Sequence, residues 1–278
     1  MSDTKIAFVT SVKLGLSCMN AIYECGNRIS LAITLPDNLA KKKSGRIYLD
    51  DFCHKKKIPL LKETHINNIA VVDALLRYKI DWLFIIGWSQ IAGHKVISTP
   101  NLGTIGAHPT LLPQGRGRAS IPWAILKNLR ETGVTLFKLN NGIDTGPIIK
   151  QKIVKISKDE TASTLYRKIE TAHCDIIREF IPELDQNNFN IFEQDNDLAT
   201  HWPARRPEDS EIDLKGSVWD AERLIRATTK PYPGAFYFES KKKIIIWKAH
   251  VLKKKPLNSK FLEFKNGYLI FDEYEITN

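Results

Sequence analysis

The strongest constraint on this chain is a change of hydrophobic period that repeats along its first half. Residues 5–10 form a short apolar run of strand length. Residues 15–24 have helical apolar spacing and stop at Gly26, a natural helix terminator. A second strand candidate at 28–35 ends in Pro36-Asp37-Asn38. Residues 69–79 read as a helix with Val72, Leu75 and Leu76 on one face, followed by a buried strand at 81–87 and a further short strand at 103–107. Alternation at this spacing predicts an α/β fold built on an open, largely parallel sheet. Ligands in such sheets sit beyond the carboxyl ends of the strands, which directs attention to the loops after Ile86 and after Ala107.

The second half has shorter periods. Residues 163–180 predict a helix with Leu165, Ile169, Ala172, Ile176 and Ile177 on its apolar side. Pro182 and the polar run 185–190 then suggest a linker or turn. Beyond it, 218–226 reads as a helix, and 235–238, 244–249, 261–264 and 268–271 read as strands separated by lysine, proline and glycine turns. The expectation is a catalytic domain over residues 1–190 and a small, β-rich domain over 191–278. There is no internal repeat. A single glycine in Ser11-Val12-Lys13-Leu14-Gly15 argues against a dinucleotide fingerprint, and no phosphate-binding Walker loop is present.

Charge is the one compositional feature that suggests a partner. The net +10 could attract nucleic acid, anionic lipid or phosphorylated metabolites. The lysines come as short clusters at 41–43, 55–57, 241–243 and 253–255, with no aromatic-interleaved stripe, so solvated loops are favoured over a nucleic-acid surface. The apolar stretch at 80–88 is too short to span a bilayer, and 6–9 is too short for a signal peptide, which predicts a cytoplasmic protein without a membrane partner. Cys18, Cys25, Cys53 and Cys174 lack zinc-knuckle spacing, so unpaired thiols and no metal are expected.

One stretch, residues 103–118, stands apart. His108 ends a strand between glycines and prolines that fix the backbone, with Arg116 and Arg118 close by. Alone, a loop histidine of this kind is more often structural than catalytic. A second stretch shifts that balance: the strand-like run at 131–139 leads into Asn140-Asn141-Gly142-Ile143-Asp144-Thr145-Gly146, which puts an aspartate between glycines at the tip of a connection. By itself this too is common hairpin chemistry.

Together, HPTLLPQGRGRASIPWAIL and ETGVTLFKLNNGIDTGPII resemble the core of the formyltransferases that use 10-formyltetrahydrofolate. These include methionyl-tRNA formyltransferase and the sugar N-formyltransferases of bacterial surface-polysaccharide (lipopolysaccharide) synthesis. The resemblance is strong over residues 80–155 and loose over most of the chain. It implies a Rossmann-like, mostly parallel N-terminal domain that binds the folate, with a smaller C-terminal domain. It also implies catalytic roles for His108 and Asp144. The family carries an asparagine two residues before the histidine, usually assigned to hold the formyl oxygen; here that position is Gly106. A backbone N–H, His108 itself or a neighbouring residue takes over that task, or the reaction is impaired or altered. By the same resemblance the pterin lies against Ile85, Ile86, Gly87 and Trp88 and against Asn141, Gly142 and Ile143.

Formyl transfer needs a neutral amine, a stabilised oxyanion and a protonated leaving nitrogen. His108 can take the amine proton. Asp144 can orient the imidazole and favour its charged form, or polarise a water that relays the proton. For the acceptor, the segments around Arg205 and Arg206 and around Tyr232 look more like the sugar enzymes. Arg205, Arg206, Arg116 and Arg118 are candidate substrate contacts, although Arg205 and Arg206 could equally pair with Glu208 or Asp209. The expected substrate is a nucleotide-linked amino sugar. The alternative is methionyl-tRNA, and a third reading, prompted by Gly106, is a non-catalytic folate-binding protein. A homodimer through the C-terminal unit is compatible with the sequence.

Overall fold

The structure is a computed structural model and describes residues 4–40, 45–186, 188–240 and 242–277; the lysine cluster at 41–43 and Lys241 lie outside the described residues. The chain divides into two compact units that interleave along the sequence. Met1–Gly117, Gly133–Val154 and Ile169–His201 make the first; Arg118–Thr132, Lys155–Lys168 and Trp202–Asn278 make the second.

The first unit begins with β1 (Ile6–Val9), α1 (Lys13–Glu24), β2 (Ile29–Thr34), α2 (Asp37–Ala40), α3 (Asp50–Lys56), β3 (Leu60–Lys62), α4 (Ile69–Arg77), β4 (Trp82–Ile85), α5 (His94–Ser98) and β5 (Gly103–His108). The chain continues through a two-residue β6 (Arg116–Gly117), α6 (Ser120–Leu126), β7 (Glu131–Lys138), β8 (Ile148–Lys155) and the long α7 (Ala162–Asp185). A seven-stranded sheet has the order β3-β2-β1-β4-β5-β7-β8. The pairs β2–β3, β1–β2, β1–β4 and β4–β5 are parallel, and β5–β7 is antiparallel. This is the largely parallel α/β sheet that the alternation predicts. The order reverses between β1 and β4, the point in such sheets where ligands sit beyond the carboxyl ends of the strands.

Successive strand residues face opposite sides of the sheet. Ala7, Val9, Leu31, Ile33 and Leu83 pack with Ile66, Val71, Ala74, Leu75 and Val96 on one side. On the other side Trp82 meets Phe189, which lies edge-on to Phe180 of α7. Phe189 comes from the polar stretch read as linker, so that stretch is anchored to the core. Helix α1 is tied to α7 by Ser17 donating to Glu170 and Asn27 donating to Asp185.

Two helix expectations need correction. In α4 the buried residues are Val71, Ala74 and Leu75, whereas Leu76 is 59% exposed. With 3.6 residues per turn, positions 71, 74 and 75 share a stripe that leaves 76 outside it. Helix α7 does not stop at Phe180 but runs through Pro182 to Asp185. A proline there cannot donate to the carbonyl of Arg178 four residues back. The Cys25 thiol donates to that carbonyl instead, at 3.8 Å, so the oxygen keeps a partner.

A two-residue β9 (His201–Trp202) straddles the sequence boundary of the units, and the second unit contains α6, α8 (Val218–Thr228), β10 (Ala235–Glu239), β11 (Lys242–Leu252), β12 (Phe261–Phe264) and β13 (Gly267–Thr277). The last four form an antiparallel sheet of order β10-β11-β13-β12. Val218, Ala221 and Ile225 of α8 pack on Ala235, Tyr237, Ile244, Ile246, Leu269 and Phe271. The expected β-rich unit is present, but β11 and β13 are longer than 244–249 and 268–271. Their ends carry charged, exposed side chains that hide the apolar alternation while the backbones still pair, from Lys243 with Thr277 to Leu252 with Tyr268. Among the described residues no helix is long and apolar enough to cross a membrane.

Candidate active site

His108 is the last residue of β5, where the strand delivers it to the sheet's carboxyl edge. Asp144 lies in the connection between β7 and β8. The two come together in the first unit, with His108 Nδ1 3.6 Å from Asp144 Oδ2. His108 Nε2 is 2.8 Å from the carbonyl oxygen of Gly115. A carbonyl only accepts, so Nε2 carries the proton in the neutral ring and Nδ1 presents a lone pair towards Asp144. Two acceptors facing each other at that spacing are well arranged for a shared proton donor, such as an amine, between them.

The Asp144 loop is held in a demanding conformation. Asp144 itself has φ 55°, in the left-handed region that aspartate tolerates better than most residues. A Cβ at Gly146 would lie 1.7 Å from the carbonyl oxygen of Lys138, so no other residue fits there. Asn140 Oδ1 accepts from the Gly142 N–H at 3.0 Å and from the Thr145 hydroxyl at 2.8 Å, closing the loop locally. The Gly117 N–H donates to Asp144 Oδ2 at 2.9 Å and aims the carboxylate.

The His108 loop has its own frame. The Thr135 hydroxyl donates to Thr110 O at 2.7 Å and accepts from Leu112 N at 3.1 Å, and Gln151 Nε2 donates to Leu112 O at 2.8 Å. A second imidazole, His173 of α7, is 1% exposed and its Nδ1 lies 2.8 Å from Ile169 O. Burial pushes its pKa down to about 4, and the charge of His108 adds to the effect, so His173 is a neutral ring behind the site.

Gly106 shares the His108 side of β5. A Cβ there would come 2.7 Å from Leu139 Cδ2 and 3.2 Å from the Phe137 ring. The space a side chain would enter is therefore held by a leucine tip. Of the other expected residues, Ile86 is fully buried, while Ile85 and Trp88 are partly buried against the cluster that holds Val9 and Leu83. Gly87 has φ 68°, and a Cβ would meet Val12 Cγ2 at 2.4 Å, so the backbone passes close to the chain after β1. Asn141, Gly142 and Ile143 are exposed at the loop tip.

Arg116 does not match the expectation of a substrate contact. It is 3% exposed, and its guanidinium donates to Gln194 and Asn196. It is a framework residue, because β6 turns it inward. Arg118, Arg205, Arg206 and Tyr232 belong to the second unit. There Arg118 and Arg206 are exposed; Arg205 lies over the Trp123 ring and bonds to Asp209 O, its guanidinium pulled down by burial. Tyr232 is half-buried beside Tyr166, and burial pushes its phenol up. Gln194, the Gly115 carbonyl and the Gly117 N–H were not foreseen. The last two are backbone groups that no residue pattern advertises, and Gln194 follows a polar run without periodicity.

The formyl transferase family matches residues 13–181, and its C-terminal domain matches residues 205–273. The chain is 33% identical over 238 residues to the bifunctional polymyxin resistance protein ArnA of Wigglesworthia glossinidia brevipalpis, covering 86% of this chain and 36% of that protein. The chain thus spans little more than a third of that relative's length. Its fold is similar to the sugar 3N-formyl transferase WlaRD, with a TM-score of 0.69, 21% identity and coverage of 98% and 96% of the two chains. It is also similar to the methionyl-tRNA formyltransferase of Clostridium thermocellum, with a TM-score of 0.66, 19% identity and 99% coverage of both. The two family matches together span most of the sequence, and the chain belongs to the formyl transferase family.

Proposed function

We propose that this protein transfers a formyl group from 10-formyltetrahydrofolate to the amine of a nucleotide-linked amino sugar, as a cytoplasmic step in bacterial surface-polysaccharide synthesis. The observation that carries the reading is the 3.6 Å approach of His108 Nδ1 and Asp144 Oδ2 at the carboxyl edge of the sheet. Support for a sugar acceptor comes from structural neighbours described as a sugar 3N-formyl transferase with dTDP and 5-N-formyl-THF, and as an N-formyltransferase from Helicobacter canadensis with folinic acid and dTDP-3-aminofucose. The division at 190 would give residues 1–190 the reacting groups and residues 191–278 the smaller domain, with the stretch from 191 to His201 kept in the first unit.

The residues fit a flat, polar heteroaromatic co-substrate. Ile85, Trp88 and exposed Ile143 offer apolar surface, and the close backbone at Gly87 and Asn141–Gly142 offers main-chain groups. The folate supplies the activated formyl group. His108 takes the proton of the attacking amine at Nδ1, while its Nε2–H stays on Gly115 O, so the ring does not have to turn. Asp144 holds the amine and shares the proton on Nδ1, and His108 then gives that proton, directly or through a water, to the departing folate nitrogen as its bond to the formyl carbon breaks. With Leu139 at the place of a 106 side chain, oxyanion stabilisation falls to the positive charge of the protonated His108 ring rather than to a hydrogen bond from it. Exposed Arg118 and Arg206 are the proposed anion contacts, and Arg205 and Tyr232 shape the second unit near Trp123 and Tyr166.

The test is a panel of nucleotide-linked amino sugars and methionyl-tRNA assayed with 10-formyltetrahydrofolate. The expected result is formylation of at least one sugar, with affinity that responds mildly to salt. Turnover on methionyl-tRNA alone, with affinity falling steeply with salt, would replace the sugar reading. Folate binding without formylation of any amine would overturn the enzymatic one.

A further inference from the structure

Gln194 sits in the stretch after α7 and is 8% exposed. Its Nε2 donates to the carbonyl of Asp144 at 2.9 Å and to the carbonyl of Gly146 at 2.7 Å. Its Oε1 accepts from Arg116 Nε at 3.1 Å and from Nη2 at 2.7 Å. Both amide hydrogens and both lone pairs are used, so the group is saturated. Its orientation is forced as well. A guanidinium only donates and a carbonyl only accepts, so flipping the amide would break all four contacts.

The partners of this amide flank the reacting pair. Arg116 lies between Gly115, whose carbonyl faces His108 Nε2, and Gly117, whose N–H holds Asp144 Oδ2. The two carbonyls on the other side belong to Asp144 itself and to the tight glycine two residues on. The amide therefore clamps the loop after β5 to the loop after β7. Arg116 is kept in place by a further bond to Asn196 Oδ1 at 2.9 Å. The Gly117 N–H on Asp144 Oδ2 joins the same two loops.

We propose that Gln194 is a positioning residue for formyl transfer: it fixes the left-handed backbone at Asp144 so that the carboxylate stays opposite His108 Nδ1. The proposal rests on the reading of His108 and Asp144 as the proton-handling pair. It also makes the segment between α7 and β9 a working part of the site.

Gln194→Glu is the informative variant. It keeps the length and gives Arg116 a carboxylate, but it places an acceptor against two carbonyls. The expected result is a fall in kcat of about 10- to 100-fold, the scale expected when reacting groups are misplaced by about 1 Å, with both KM values within about twofold. Because Gln194 acts through Asp144, the same change in an Asp144→Asn background should alter kcat less than about twofold. A kcat in Gln194→Glu close to wild type, or losses that multiply in full in the double variant, would overturn the proposal. The pH titration of the His108 ring-nitrogen NMR signals needs no turnover. It should change with Gln194→Glu when Asp144 is present and not when it is Asn. An unchanged curve refutes the clamp even if no acceptor is found, whereas a changed curve in a protein without transferase activity refutes the proposed function alone.

Discussion

Replacing Asp144 by asparagine tests the pairing with His108 with little collateral change. Asparagine keeps the volume, tolerates the φ of 55° and still offers an oxygen to the Gly117 N–H. What it removes is a negative charge 3.6 Å from Nδ1, between side chains that are 9% and 19% exposed. At that separation Coulomb's law with an effective dielectric of about 20 gives roughly 4–5 kcal/mol between unit charges. The amide dipole retains part of this, which leaves a loss of about 3–4 kcal/mol in holding a proton on His108 as the amine reacts. At about 1.36 kcal/mol per tenfold, kcat should fall by roughly 10²–10³. The assay is single-turnover formyl transfer at saturating folate and acceptor, with thermal unfolding measured in parallel. A Tm near wild type with the slow transfer fits the reasoning. A variant that folds normally and transfers within about threefold of wild type refutes it.

Three further outcomes follow from the same structure. Burial holds His173 neutral down to about pH 4, whereas an unfolded chain protonates its histidines near pH 6.5. Unfolding therefore takes up a proton in that window, and stability should fall as the pH drops from about 6.5 to about 4, by on the order of 3 kcal/mol. Chemical denaturation across that range should show the acid loss, and His173→Leu should flatten it; an equally steep loss in the variant contradicts the assignment. Gly106→Asn must displace the Leu139 tip that a Cβ would approach to 2.7 Å, so it should cost about 1–3 kcal/mol, read as a lower Tm. Combined with Leu139→Ala, the new donor gains room and kcat should rise, by up to about 10²-fold if it reaches the oxyanion. A single Gly106→Asn variant with unchanged Tm and raised kcat would show that Leu139 does not hold that space.

Much of the fold was legible because its cause is local. The parallel strands β1, β2, β4 and β5 are short apolar runs bounded by turns, and their alternation with helices dictates the sheet. The position of His108 at a strand end followed from the same reading. The rest depended on tertiary partners. The exposure of Leu76 follows from which stripe of α4 meets the sheet, which composition does not reveal. Helix α7 passes Pro182, and the carbonyl that the proline leaves without an N–H is met by a cysteine far away in sequence. Arg116 reads as a surface cation in a loop and turns out to be buried against Gln194, a residue from a stretch with no pattern at all. Residues that hold a site rigid are chosen by bond geometry between distant segments, and a linear motif displays only the groups at the reaction centre.

The central claim is that an imidazole and a carboxylate at the sheet's edge drive movement of a one-carbon unit onto an amine. The most direct measurement mixes the purified protein with 10-formyltetrahydrofolate and nucleotide-linked amino sugars, and follows tetrahydrofolate release and formylated sugar by mass spectrometry, for wild type and for His108→Asn. Wild type should give equal amounts of both products and the variant almost none. Formylated sugar appearing at the same rate from both proteins would contradict the claim.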